Sequence, residues 1–122
     1  MNAALVFLGG GLGALLRHGV NRLALATWGA GFPAGTMIVN VVGSLAIGLL
    51  VGLFASHPGI GQPPRLFLAT GLLGGFTTFS AFSLDALTLY QRGLFGLALA
   101  YIGLSVILSL AAIAIGYSLA RL

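Results

Sequence analysis

Residues 71–83 read GLLGGFTTFSAFS, and this stretch decides how the chain is to be understood. It lies among very apolar neighbours, yet it holds three glycines, two adjacent threonines, two serines and three phenylalanines. A helix meant only to sit in lipid would be Leu, Ile and Val throughout. Glycine has high backbone freedom and threonine is β-branched, so GGFTT is poor helix. An interruption there exposes backbone N–H and C=O groups at membrane depth, which is tolerated only where they are buried in protein or line a site. The spacing predicts a helix broken over 74–78. Unwound carbonyls coordinate Na⁺ in transporters, so the break offers a cation site made of backbone oxygens, without an acid ligand. Past the break, Phe79 and Phe82 are three apart and share a face once helix resumes. A phenyl ring has a positive edge. Edges turned toward a pore stabilise a small anion weakly, as conduction requires. The competing reading of the two rings is lipid contact or packing. Their place beside Thr77, Thr78 and Ser80 raises the pore reading.

The surroundings are those of a membrane protein. Of 122 residues, 59% are hydrophobic and 5% charged, against ~25% charged in an average soluble domain. The mean hydropathy is +1.14. There is too little polar surface to cover a globule in water. The ionisable inventory is five Arg, one Asp and two His, with no Lys, Glu or Cys. No carboxylate pair exists for acid–base work, and no cysteine cluster for zinc or redox work. A Ser-His-Asp set built from His18 or His57 with Asp85 lacks the GxSxG elbow that would support it. The five arginines, Arg17, Arg22, Arg65, Arg92 and Arg121, are isolated and form no patch, so no nucleic-acid partner is expected.

A hydrocarbon core of ~30 Å needs about 20 apolar residues of helix. Turn and charge signals divide the chain into four such pieces, roughly 3–25, 35–56, 65–90 and 94–120. The breaks are TWGAGFPAG (27–35), SHPGIGQPPR (56–65) and QRG (91–93), and all four prolines fall in the first two. The first piece has no basic N-region and carries Arg17 and Asn21, so it reads as a span and not as a cleavable signal. The expected fold is a single all-α domain of four transmembrane helices, the third broken, with both termini on one side. Arg65 and Arg121 fall on that side, and Arg17, Arg22 and Arg92 on the other. Arginine bias normally sets orientation. Here it is close to nil, so either the rule forecasts poorly or the chain inserts both ways and pairs as an antiparallel dimer.

Polar residues in lipid tend to face protein or water, and i, i+4 spacing puts them on one helix face. The first helix has Arg17 and Asn21, with Gly13 one turn earlier. The second has Thr36, Asn40 and Ser44, and the fourth has Tyr101, Ser105 and Ser109. For any single stripe, helix–helix glue is the plainer reading, and GxxxG spacings at Gly9/Gly13, Gly48/Gly52 and Gly71/Gly75 suit it. Four stripes in one small bundle can also line a narrow polar track. Its hydroxyls, its Asn40 amide donors and its lack of a mid-depth acid favour an anion. Arg17 lies inside a predicted span, where Arg costs about 2.5 to 3.5 kcal/mol at a helix centre. It reads either as snorkelling to the headgroups or as a positive charge at a wet vestibule. Asp85, near Tyr90, Gln91 and Arg92, reads as an interfacial acid paired with an arginine or with water.

The sequence resembles the fluoride channel family, Fluc or CrcB, over essentially the whole chain. The resemblance rests on GGGLGALLRH (9–18), GTMIVNVVGS (35–44) and, above all, GLLGGFTTFSAFS (71–83), with Tyr101 and Ser105 on the fourth helix also matching. It implies an antiparallel, dual-topology homodimer in the bacterial plasma (inner) membrane, with two pores that passively export fluoride from the cytoplasm. Phe79 and Phe82 would contact fluoride and Asn40 would donate to it. Thr78, Ser80, Ser83, Tyr101 and Ser105 match hydroxyl positions along the pathway, and Arg17 a place near a vestibule. Gly74 and Thr77 would give backbone carbonyls to one structural Na⁺ on the dimer axis. Three positions depart from the family pattern: His18 where an aromatic is more usual, Asp85 where glutamate is common, and Ala81 where threonine is frequent.

Two rivals come from other classes. A small multidrug transporter needs a membrane carboxylate on its first helix, and none is present here. A non-conducting partner subunit would explain the Gly and Ser faces, but neither the break nor the Phe spacing.

Overall fold

A computed structural model describes residues 2–122. Helix α1 spans Asn2–Trp28 and α2 spans Ala34–Ser56. Residues 62–76 form α3. It begins as α-helix over Gln62–Arg65, widens into π-helical turns over Leu66–Leu73 and ends in one α turn, Gly74–Phe76. Thr77 and Thr78 are extended, with φ/ψ of −87/157° and −153/118°. Helix α4 resumes at Phe79–Gln91, and α5 spans Phe95–Ala120. With α3, the break and α4 taken as one span, four helices are long and apolar enough to cross a membrane.

The interruption is narrower than the sequence predicts. Gly74 stays helical at φ −61°, ψ −40°, and only the two threonines leave the helix. Pro63 and Pro64, expected in the preceding loop, instead form the first turn of α3. First-turn N–H groups have no helical partner in any case, so proline costs nothing there. Helix α4 ends in a glycine cap: Gly93 takes φ +77°, its N–H reaches Tyr90 C=O, and Leu94 N–H reaches Leu89 C=O, both at 3.0 Å. That pattern turns the chain sharply into α5.

Two glycine seams hold the bundle. Helix α1 lies along α3, and α2 lies along α5. A Cβ on Gly9 would stand 2.6 Å from the Phe67 carbonyl oxygen, and one on Gly13 would strike the Leu72 carbonyl. From the other side, a Cβ on Gly75 would strike the Gly10 carbonyl. In the second seam, Gly48 abuts the Ile113 carbonyl and Gly116 the Leu45 carbonyl. Small residues let membrane helices approach backbone to backbone, so all three GxxxG spacings serve helix contact. Fully buried large side chains are few, namely Tyr101, Leu89 and Val39, while Phe7, Leu15, Leu99 and many other apolar residues face outward. That outward apolar surface suits lipid or another membrane chain, not water.

Candidate functional site

The break is held from two sides by side chains of other helices. Asn40 on α2 grips Thr78 through both ends of its amide. Its Oδ1 accepts from Thr78 N–H at 2.8 Å and its Nδ2 donates to Thr78 C=O at 3.0 Å. Arg17 on α1 donates from Nε to Gly75 C=O at 3.1 Å. Thr77 and Thr78 add local bonds. Thr77 Oγ1 donates back to Leu73 C=O at 2.9 Å. Thr78 Oγ1 accepts from Ala81 N–H at 3.2 Å and so caps α4. Threonine favours such caps because its oxygen replaces a lost backbone acceptor.

These bonds have a consequence for the carbonyls. In an uninterrupted helix, Thr78 N–H would bond Gly74 C=O, and Ala81 N–H would bond Thr77 C=O. Here Asn40 Oδ1 takes the first N–H and Thr78 Oγ1 takes the second. Gly74 and Thr77 therefore present backbone oxygens without helical partners among the described residues. They are neutral, hard donors of the kind that suit Na⁺. No group of three or more His, Cys, Asp or Glu side chains is placed to hold a metal among the described residues.

Beyond the break runs a row of aromatic rings. Phe79 and Phe82 have centroids 5.5 Å apart, and Phe82 and Tyr101 5.3 Å apart. Phe32 meets Tyr101 edge-on at 5.6 Å. Phe79 is 77% exposed, so most of its ring is left uncovered within one chain. Tyr101 is buried, and its hydroxyl donates to Asp85 Oδ2 at 3.0 Å. Tyr101, and not an arginine, is therefore the side-chain partner of Asp85 among the described residues. Ser83 Oγ donates to Phe79 C=O at 3.0 Å, within its own helix, and Ser80 Oγ lies 3.3 Å from Thr78 Oγ1. Ser105 differs from both. Among the described residues its Oγ is the one buried side-chain polar atom without a hydrogen-bond partner.

A cleft of about 480 Å³ gathers Asn40, Ser44, Gly74, Thr77, Thr78, Phe79, Phe82, Ser105 and Ser109. It thus joins the polar stripes of α2 and α5 to the break. Arg17, Ser80, Ser83 and Tyr101 do not line it. Thr36 and Asp85 line a second hollow, with Asn21 and Phe32. Sequence reasoning missed Gly43, where a Cβ would strike Thr77 Cγ2. Its place between Asn40 and Ser44 on the polar stripe was the available signal. It also missed the contact of Arg17 with Gly75, and no spacing rule would have supplied it.

Comparison with known proteins places this geometry in a family. The family described as CrcB-like protein, Camphor Resistance (CrcB), matches residues 4–117. A protein of Methylobacterium nodulans named fluoride-specific ion channel FluC is 60% identical over 102 residues, covering 84% of this chain and 82% of its own. A protein of the same name from Rhodopseudomonas palustris is 53% identical over 121 residues, covering 99% and 98%. One from Nitrobacter hamburgensis, named fluoride-specific ion channel FluC 2, is 50% identical over 121 residues, covering 99% and 98%. With a match across nearly all four spans and identities of this size over most of its length, the chain is a member of the CrcB-like family, a family of ion channels and not of enzymes.

Proposed function

We propose that this chain forms a passive, fluoride-selective channel that lets fluoride leave the cytoplasm across the bacterial inner membrane. One observation carries the reading. The clamped break, the paired rings and the orphan Ser105 hydroxyl all meet in one cleft. The groups there are weak donors to an anion: ring edges of Phe79 and Phe82, the hydroxyl of Ser105 and the second amide hydrogen of Asn40. A single full charge would hold fluoride too tightly to conduct, whereas several weak sites let it enter and leave. Arg17 adds positive potential beside the break. The names of the relatives support fluoride as the ion.

The working unit in this reading is an antiparallel, dual-topology homodimer with two pores. The exposed ring of Phe79 and the outward apolar faces call for a second surface to close the cleft. Gly74 and Thr77 carbonyls from each of two chains would hold one Na⁺ between them. That ion supplies a fixed positive charge joining the subunits. The absence of a coupling acid among the cleft residues favours passive flow.

The test is fluoride efflux from liposomes holding the purified protein, with a potassium ionophore setting the voltage and chloride as control. Rapid fluoride loss that follows the imposed potential, with chloride retained, is the expected result. Well-folded protein that releases no fluoride overturns the reading and returns residues 71–83 to helix packing.

A further inference from the structure

The geometry points to Arg17 as a positioning residue that sets the break, in addition to any field it casts on passing anions. This rests on the channel reading above. Breaking the helix at Thr77 and Thr78 strips the last carbonyls of α3 of their partners. Gly75 C=O would bond Phe79 N–H in a continuous helix, and the extended threonines carry Phe79 away from it. Arg17 Nε takes that carbonyl. A half-buried guanidinium on a membrane helix is costly to place, and the bond gives it a fixed acceptor where snorkelling would leave it mobile.

The bond also sorts the carbonyls of the break. Arg17 occupies Gly75 C=O and Asn40 occupies Thr78 C=O. Gly74, Phe76 and Thr77 are left without a donor among the described residues: the N–H partners of Gly74 and Thr77 are diverted, and no bond from Ser80 N–H to Phe76 C=O spans the break. Arg17 and Asn40 therefore withdraw two of the break's oxygens from any cation, and they pin the end of α3 and the start of α4 to different helices. The Gly13 seam brings α1 close enough for this, since the Leu72 carbonyl and the Phe76 N–H crowd against Gly13 one turn before Arg17. With Arg17 gone, the Gly75 carbonyl is unpaired, the end of α3 relaxes, and Phe79 and Phe82 lose their set positions beside Asn40.

Field and positioning make different demands on the variant Arg17→Lys. Lysine keeps the charge but is shorter and lacks the rigid planar fork of arginine. A residue that only concentrates fluoride acts on the half-saturating concentration, and salt screens it. A residue that positions the break acts on the saturating flux. The experiment measures fluoride efflux against fluoride concentration at low and high ionic strength, for wild type and Arg17→Lys. The contact itself is read by solid-state NMR of reconstituted protein labelled with ¹³C-carbonyl glycine and ¹⁵N-phenylalanine. Glycine is followed by phenylalanine only at Gly31–Phe32 and Gly75–Phe76, so two carbonyl signals are selected, and the one that survives in Gly31→Ala, where a Cβ meets nothing within 4 Å, is that of Gly75.

The expected result is a saturating flux lowered roughly tenfold or more in Arg17→Lys, unrelieved by salt, together with a shifted Gly75 carbonyl signal. A lysine variant that conducts like wild type at saturation overturns the positioning role, as does an unmoved Gly75 signal. Should the variant not fold, wild type carrying guanidine-¹⁵N arginine decides: dipolar recoupling to the Gly75 carbonyl supports the contact, and its absence overturns it. Wild type that passes no fluoride overturns the channel reading itself, a result distinct from a conducting wild type with an indifferent lysine variant.

Discussion

The amide of Asn40 bonds both backbone groups of Thr78, accepting from its N–H at 2.8 Å and donating to its C=O at 3.0 Å. It pairs with the unwound residue as a neighbouring β-strand would, which is why an interrupted helix survives inside a hydrophobic span. The substitution Asn40→Asp keeps an acceptor for the N–H but loses the donor, and it sets a negative charge in the cleft. Fluoride efflux should fall well beyond tenfold, since a bond to a half-buried carbonyl is lost and the anion now meets repulsion. Retained efflux would place Asn40 off the pathway. Asn40→Leu should in addition lower the melting temperature in detergent, because Thr78 then keeps neither partner.

Phe79 and Phe82 share a row but not a burden. Phe79 is 77% exposed, whereas Phe82 is half-buried and packs on the core formed by Leu89, Ala98 and Tyr101. Phe79→Ile should slow fluoride passage with little effect on the stability of the single chain. Phe82→Ile should slow passage and also cost about 1 kcal/mol through loss of its ring contact with Tyr101. Thermal unfolding measured alongside liposome efflux separates the two. Equal destabilisation would mean that Phe79 is held by packing, including packing across a partner.

Much of this architecture was legible in the sequence, for reasons that are local. Pro33 and Pro58 lie outside the helices and bound an uncharged run long enough to span lipid. The two threonines announced the interruption because their helix propensity is poor. Partnerships were not legible, because they depend on rotation and register between helices. Gly48 meets Ile113 and Gly116 on α5, and Gly52 meets Tyr117 and Ala120, and no GxxxG on that helix marks the meeting place. The π-helical turns of Leu66–Leu73 left no signal in a run that reads as ordinary apolar helix. They belong to the packing of α3 on α1, and with it to the contact between Arg17 and Gly75. Asp85 was assigned by its neighbours in sequence. Its partner, Tyr101, lies on another helix sixteen residues on.

The glycine seams give a contrast within one helix. Gly13 on α1 faces the Leu72 carbonyl, whereas a Cβ on Gly19 meets nothing within 4 Å. Backbone cannot yield as a flexible side chain can, so Gly13→Ala should destabilise by about 1 to 3 kcal/mol or more by overpacking. Gly19→Ala should be neutral or stabilising by up to about 1 kcal/mol, since alanine is the better helix former. Thermal stability and yield of monodisperse protein in detergent read both. A Gly13→Ala protein as stable as wild type would show that α1 and α3 can part without loss.

Ser105 offers the sharpest separation of stability from transport. Its residue is 4% exposed and its hydroxyl has no partner among the described residues, yet it lines the cleft with Asn40, Phe79 and Phe82. An unsatisfied buried hydroxyl costs about 1 to 3 kcal/mol. Removing it should therefore leave Ser105→Ala as stable as wild type or more so. If the hydroxyl serves a passing anion, the same change should slow fluoride efflux several-fold, because one donor of the pathway is gone. Stability gained together with flux lost is a combination that a packing role does not produce, since truncating a well-packed group lowers stability. Unchanged flux with raised stability would make Ser105 a tolerated defect of α5. It would leave the anion to Asn40 and the two rings alone.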